Sequence, residues 1–242
     1  MKTRYLGRIL TIGMLLFLGA CATLPQQSYN REANAGIKRI QVLTMPKANV
    51  RLHVANPTGA NFGLIGALIT EANRNGKENW LQDTVAKTDF NQFDVLKTTF
   101  EAEMRAKGYE LIWPDPLVDD GKKVKRDGLS LRKSYSRTDA DAQLDLGFMY
   151  VGYAAAGSGS GQPYRPTVEM SMRLIGSDGK TVLFTDQIRY HNVLGNKQAI
   201  IVEPDPNYSY PKFSDLEAAD TACIAGLQIA VEETAREMAR QL

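Results

Sequence analysis

Few residues of this 242-residue chain have the types and spacing that catalysis or metal binding requires. The two histidines, His53 and His191, lie far apart and show neither HxxxH nor HxH spacing, so the sequence predicts no metal site. Residues 157–161 (GSGSG) contain the residue types of a nucleophile elbow, but Gln-Pro-Tyr-Arg-Pro follows them instead of a helix. We therefore interpret the run as a flexible connection and predict no catalytic residue.

Two groups of acidic residues could also act as ligands. Asp119-Asp120 and Asp139-Ala140-Asp141 bring pairs of carboxylates together, but the second group lacks the glycine and the distal glutamate of an EF-hand. We interpret both groups as solvated charge on a loop.

The two cysteines, Cys21 and Cys223, have different surroundings. Cys223 lies in a helical pattern with Ile224 and Leu227, which predicts a small buried apolar residue. An intermolecular disulfide is the alternative in an oxidising compartment.

The first twenty residues have the pattern of a secretory signal peptide. Residues 1–8 hold three basic residues and no acidic one, and an apolar segment of about ten residues follows from Ile9 to Leu18. That segment is too short to span a hydrocarbon core of ~30 Å as a helix. Small residues come next, so we predict cleavage instead of a transmembrane anchor.

The residues around the predicted cleavage point, Leu18-Gly19-Ala20-Cys21, resemble the lipobox of bacterial lipoproteins. The resemblance implies a diacylglycerol thioether on Cys21, cleavage before it, and acylation (palmitate) of the new amine. Two or more acyl chains anchor a protein stably, so Cys21 is the predicted lipid attachment site and membrane anchor. Ala22 follows the cysteine, which in enterobacterial sorting implies the outer membrane, with the domain in the periplasm.

Removal of the signal peptide changes the charge of the chain. The whole sequence has 29 basic and 27 acidic residues, and cleavage removes three basic ones, leaving 26 against 27 and a net charge of −1. This balance argues against nucleic acid as a partner. A mature chain of 222 residues buries about 70% of its unfolded surface and needs no disulfide staples.

Periodicity and breaker residues divide the mature chain into elements. They predict strands at 37–45, 50–54, 109–113 and 142–153, helices at 61–74 and 91–107, a hairpin over 167–190, and a last helix from Ser214, with Glu217 completing a capping box, to the C-terminus. Residues 21–36 should be a lipidated flexible tether, and residues 37–242 a single domain. Residues 115–141 should be a loop, with a short helix inside it as the alternative, and residues 195–212 should be irregular.

The hairpin has the most specific prediction. Pairing Leu174 with Val182 leaves Ser177-Asp178-Gly179 as a three-residue turn, with glycine at the left-handed position. This register also puts Asp186 on the apolar face, where it needs a partner, an edge position or a bulge.

The step from the helix Phe93-Asp94-Val95-Leu96 … Met104-Arg105-Ala106-Lys107-Gly108 to Tyr109-Glu110-Leu111 resembles that of small periplasmic lipoprotein domains, such as the TolB N-terminal domain and the CsgG group. The resemblance implies an α+β fold: a single mixed, largely antiparallel sheet of about four to six strands with helices packed on it. In that group such domains assemble into, or dock on, envelope machines.

These observations together predict a function. We expect a non-enzymatic structural, assembly or accessory subunit of a cell-envelope machine for secretion, efflux or appendages, without a cofactor beyond the lipid on Cys21. Its partners would be the bilayer and an envelope protein or further copies of the chain. Tyr208, Tyr210 and Pro211 are the predicted partner-binding residues, because tyrosine beside proline in a loop is typical of protein–protein interfaces; core packing is their alternative. The alternative function is a binding module for a lipid or cell-wall ligand.

Overall fold

The architecture is that of a computed structural model, which describes residues 26–55, 63–121, 123–157, 161–190, 193 and 199–242. For residues 63–74 it describes the backbone only. Within these ranges, no helix is both long and apolar enough to cross a membrane.

The described residues form seven strands and four α-helices. The strands are β1 (Arg39–Val42), β2 (Arg51–Val54), β3 (Glu110–Ile112), β4 (Ala142–Ala155), β5 (Arg165–Gly176), β6 (Val182–Tyr190) and β7 (Ile200–Val202). The helices are α1 (Gly63–Ala86), α2 (Gln92–Ala106), α3 (Phe213–Ala219) and α4 (Ala222–Gln241). The prediction of an α+β domain with a single mixed sheet is confirmed.

The strands form one sheet in the order β3-β1-β4-β5-β6-β7, and β2 pairs with β4 beyond the end of β1. The long pairs β4–β5 and β5–β6 are antiparallel, as predicted. The short strands β1, β2, β3 and β7 pair in parallel. The described sheet therefore has seven strands, one more than the predicted upper number. The edge strands β3 and β7 have only three residues each.

The predicted hairpin exists, but its predicted register is wrong by two residues. Leu174 pairs with Phe184 instead of Val182, and an irregularity after Leu174 pairs Ile175 with Val182. Such a bulge adds one residue to a strand and cannot be read from alternation. Gly179 does take the predicted left-handed conformation, with φ of 70°.

One face of the sheet is covered by α2 and α4 and forms the main core. Asn91 caps α2, its side chain accepting hydrogen bonds from the N–H groups of Phe93 and Asp94. The α2 side chains Phe93, Leu96, Phe100 and Met104 are buried, as their spacing predicts. The opposing strand and α4 side chains are Leu144, Leu146, Phe148, Met170, Met172, Phe184, Leu227, Val231 and Met238.

The first and last predicted helices have wrong boundaries. The helix predicted to end at Gly76 continues to Ala86, because Leu81 and Thr84 are buried on its second half while Gly76 faces open space. The single predicted C-terminal helix is two helices, interrupted at Asp220 with φ of 44°. The first of them starts at Phe213, where the Asp215 carboxylate accepts from the N–H of Lys212, so the predicted Ser214–Glu217 box is not used.

The second half of the predicted tether is docked on the domain. Gln27 pairs with Thr185 of β6 through N–H···O bonds of 2.9 and 3.1 Å. The Arg31 guanidinium donates to the carbonyls of Leu242 and Arg240, where the unpaired carbonyls of the α4 C-terminus attract a cation. Gln27 and Arg31, which lie in the predicted tether, therefore contact the domain directly.

Candidate functional site

The opposite face of the sheet carries polar side chains that are nevertheless buried. Asp145 on β4 is 0% exposed, and Ser171 on β5 and Gln187 on β6 are buried nearby. The loop formed by residues 115–141 covers the Asp145 end of this face, and the Ser130 backbone lies so close to Gly147 that a Cβ there would lie 3.0 Å from the Ser130 carbonyl oxygen. No helix forms within the described part of this loop.

An ion-pair cluster fixes the loop to the sheet. The Arg126 guanidinium donates to Asp119 at 2.6 Å and to the carbonyl oxygen of Thr44 at 2.6 Å, and lies 3.5 Å from Asp145. The Thr44 hydroxyl donates to Asp119 at 3.0 Å. Arg126 therefore joins two points of the loop to Thr44 just after β1 and to the first part of β4.

The second Asp145 oxygen binds the next part of the loop. It accepts from the N–H of Arg132 at 2.5 Å and from the hydroxyl of Tyr135 at 2.9 Å. Arg173 on β5 donates to that same hydroxyl at 3.2 Å and lies 3.7 Å from Asp127. Asp145 thus makes charge-assisted bonds to three separate loop residues.

The pKa values of the two central carboxylates, Asp145 and Asp119, are shifted in opposite directions. Burial raises the pKa of Asp145, and its bonds to Arg132, Tyr135 and Arg126 offset only part of that rise. For Asp119, burial also acts to raise the pKa, but the bond to Arg126 and its charge outweigh burial and lower the pKa of that carboxyl. Burial, together with the charge of Asp145, raises the pKa of Tyr135, which remains a proton donor.

A cleft of about 430 Å³ lies farther along the same sheet, where β4 bulges at Met149. Gly152 brings β2 close to β4, since a Cβ there would lie 1.8 Å from the Arg51 carbonyl oxygen and its φ is 148°. The Arg51 guanidinium stands over the ring of Tyr150, 5.1 Å from its centroid. His53, Glu78 and Glu169 complete the polar lining.

The lining of this cleft is polar. Glu169 pairs with Arg189, which is 3% exposed and whose Nε and Nη1 have no hydrogen-bond acceptor among the described residues. Charges of both signs line the cleft, so it does not favour a lipid, one of the two ligands that the alternative function names. Within the described ranges, no three His, Cys, Asp or Glu side chains are grouped so that they could hold a metal ion.

The predicted partner-binding residues lie together but point mainly inward. The Tyr210 ring contacts Tyr153 edge-on at 5.8 Å, and its backbone pairs with Tyr164. Tyr208 is half-buried against Gly226 of α4, and Pro211 is exposed. This geometry favours the packing alternative for both tyrosines and leaves Pro211 as the surface residue of the three.

Two further residues that the sequence singled out, Asp186 and Cys223, are held by contacts within the domain, and the others lie outside the described ranges. Asp186 accepts from Gln26 at 3.1 Å, the partner its position required. Cys223 is buried and burial raises the pKa of its thiol to about 12, in line with the predicted small apolar residue. Cys21, His191 and residues 158–160 lie outside the described residues.

In the two acidic groups, 119–120 and 139–141, one aspartate binds backbone N–H groups and another belongs to the ion-pair cluster. Asp141 accepts from the N–H groups of Lys38 and Arg39 at 2.8 Å each and so fixes the start of β1. Asp119 belongs to the Arg126 cluster, whereas Asp139 is exposed.

Sequence reasoning missed the cluster around Asp145. In the strand, Asp145 lies between Leu144 and Leu146, and this alternation predicts that the aspartate faces solvent. The available signal was Gly147 beside it, a residue that often marks the close approach of another backbone.

Comparison with models of protein families, with curated proteins and with solved structures found no match.

Proposed function

We propose that this protein is a lipid-anchored periplasmic subunit with a non-enzymatic, structural or accessory role in a cell-envelope machine for secretion, efflux or appendages. The lipobox-like residues Leu18 to Cys21 support the anchor. The observation that carries the subunit role is the loop 115–141, a long polar segment that is held in one conformation by a buried ion-pair cluster.

The physical cost of this loop is the reason to assign it a role. Loops of this length without secondary structure are uncommon in compact domains and are usually functional or disordered. Burying charged side chains in order to hold such a loop in place costs several kcal/mol per ion, before the attraction between the partners offsets that cost. A defined loop shape is useful where a second protein must recognise it.

The exposed side of the loop indicates the chemistry of that partner. Lys123, Lys125, Lys133 and Arg137 are exposed, and Asp127, the one acid between them, turns toward Arg173. Residues 123–137, between the exposed Asp120 and Asp139, therefore present a basic surface that suits an acidic patch on an envelope protein.

A photocrosslinking amino acid placed at Lys133 tests the proposal in cells that carry the full-length protein. The same amino acid at Pro211 tests the predicted partner-binding segment, and Gln228 on the exposed side of α4 is the control position. We expect one discrete crosslinked envelope protein from Lys133 or Pro211 and none from Gln228. Recovery of uncrosslinked monomer from all three positions would contradict the subunit role.

A charge reversal makes the experiment specific to the basic surface. Lys125→Glu combined with Lys133→Glu should abolish capture from a crosslinker at the exposed neighbour Ser134, whereas Arg105→Glu on α2, which covers the other face of the sheet, should leave it intact. Equal capture in both variants would show that the basic loop is not the docking surface.

A further inference from the structure

The N-terminal segment leaves the domain at a fixed point on one edge of the sheet. Gln27 adds to the outer side of β6 through its two backbone bonds to Thr185, and its side-chain amide donates to the carbonyl of Val182 at 2.8 Å. The Gln26 side chain bonds to Asp186. These contacts hold the chain next to β7, which covers the other end of β6.

The distance from this point to the lipid attachment site is short. Four residues lie between Cys21 and Gln26, which makes five Cα-to-Cα steps, so the connection reaches at most ~18 Å. The edge strand β3 lies five strand spacings from β7, a separation of ~24 Å. The connection is therefore too short for the domain to stand upright on its β3 edge with the β6–β7 edge uppermost.

The side chains of this edge suit a membrane surface. Val182 and Ile201, 38% and 37% exposed, are the large apolar side chains exposed among the described residues, and they lie on β6 and β7. Their strand registers pair Val182 with Ile175 and Ile201 with Arg189, which puts both on the loop-covered face. A single exposed apolar residue is ordinary; here both border the edge from which the anchor leaves.

We propose that the β6–β7 edge, with Val182 and Ile201, rests on the bilayer surface, and that the short connection to Cys21 sets this orientation. The inference rests on the lipid anchor of the proposed function. It adds that the domain meets the membrane with one defined edge and keeps the β3 edge turned away from the bilayer.

The test uses the full-length lipidated protein in vesicles of phosphatidylethanolamine and phosphatidylglycerol. An environment-sensitive fluorophore is attached to a cysteine introduced by Val182→Cys, Ile201→Cys or, as the control on the far edge, Glu110→Cys, while the buried Cys223 stays unlabelled. A headgroup quencher is then added to the vesicles. With the edges ~24 Å apart, quenching at positions 182 and 201 should be at least about twofold stronger than at 110.

A longer connection gives the second measurement. Fifteen flexible residues inserted between Ala22 and Gln26 extend the reach by ~50 Å and should lower quenching at 201 to the level at 110, although the protein still floats with the vesicles. Quenching that stays high at 201 would overturn the claim that the short connection sets the orientation.

The outcomes separate the inference from the proposed function. Wild-type protein that fails to float with the vesicles would contradict the anchor itself. Protein that floats but shows equal quenching on both edges would overturn the orientation alone. Disulfide crosslinks between two copies carrying Ile201→Cys would overturn it in favour of pairing between copies through β7.

Discussion

The two faces of the sheet are closed by different physical means. On one face, α2 and α4 bury rows of apolar side chains that include Leu96 and Phe100. On the other, a loop without helices is held by Arg126 around the buried carboxylate of Asp145. Apolar packing is non-directional and tolerates substitution by similar volumes, whereas charge-assisted bonds fix individual loop residues in place. The first face therefore supplies stability, and the second supplies a defined surface.

The largest expected effect is on the helix-covered face. Phe100→Ala removes a fully buried ring from α2 and should lower the free energy of unfolding by about 3–5 kcal/mol. Leu96→Met keeps the volume and should cost less than about 1.5 kcal/mol. Urea unfolding followed by circular dichroism measures both variants. A loss below ~1 kcal/mol for Phe100→Ala would show that this face is not the main source of stability.

A slightly smaller effect is expected on the loop-covered face, with a local signature. Asp145→Ala removes the more deeply buried of the two carboxylates around Arg126 and frees the Arg132 N–H and the Tyr135 hydroxyl, at a cost of about 3 kcal/mol. Trypsin should then cut within residues 123–137 well before the rest of the domain. Asp139→Ala, at an exposed position of the same loop, is the control and should stay within about 0.5 kcal/mol of wild type. Unchanged loop cleavage in Asp145→Ala would refute the role of the cluster.

The pH dependence of stability separates the two carboxylates of the cluster. Because the pKa of Asp145 is raised in the folded state, the native protein holds a proton there that the unfolded chain has lost above about pH 4. The Asp145 contribution to the free energy of unfolding therefore grows as pH falls from the native pKa of Asp145 toward about 4. Asp119, with its lowered pKa, contributes above its unfolded pKa and loses that contribution as pH falls through its lower native pKa.

Asp145→Asn isolates the first of these effects. The stability of wild type relative to Asp145→Asn should increase as the pH of urea unfolding experiments is lowered toward 4. A difference that is constant with pH would show that Asp145 does not carry a raised pKa.

The smallest expected effect is at the docked N-terminal segment. Arg31→Ala removes two hydrogen bonds to carbonyls at the α4 C-terminus and should cost about 0.5–1 kcal/mol. Arg105→Ala removes an exposed pair with Glu101 and should cost about 0.3–0.5 kcal/mol. Thermal unfolding of the two variants under identical conditions makes the comparison, and a smaller loss for Arg31→Ala would indicate that the segment adds no stability.

Sequence patterns predicted the helix-covered face far better than the loop-covered one. The spacing of Phe93, Leu96 and Phe100 identified α2, and the alternation around Leu144 identified β4, because one apolar face directly produces each pattern. The β5–β6 register was missed because of a local bulge after Leu174. Parallel pairing of three-residue strands such as β3 depends on contacts distant in sequence, which periodicity does not contain.

The candidate sites show the same limit. Asp145 could not be recognised as buried, because its partners come from a loop that contributes no periodic signal. The docking of Gln27 on β6 was missed because the polar composition of the segment matches that of a free tether. Cys21 was singled out by local residues alone, and its lipidation remains a prediction.

Lipidation of Cys21 is the claim on which the account depends most, and mass spectrometry of the N-terminal peptide from the membrane fraction tests it most directly. The account predicts a mature chain that begins at Cys21 and carries a diacylglyceryl thioether and an acylated amine, and a Cys21→Ser variant that leaves the membrane fraction. A mature chain that begins elsewhere, or an unmodified Cys21 in membrane-bound protein, would contradict it.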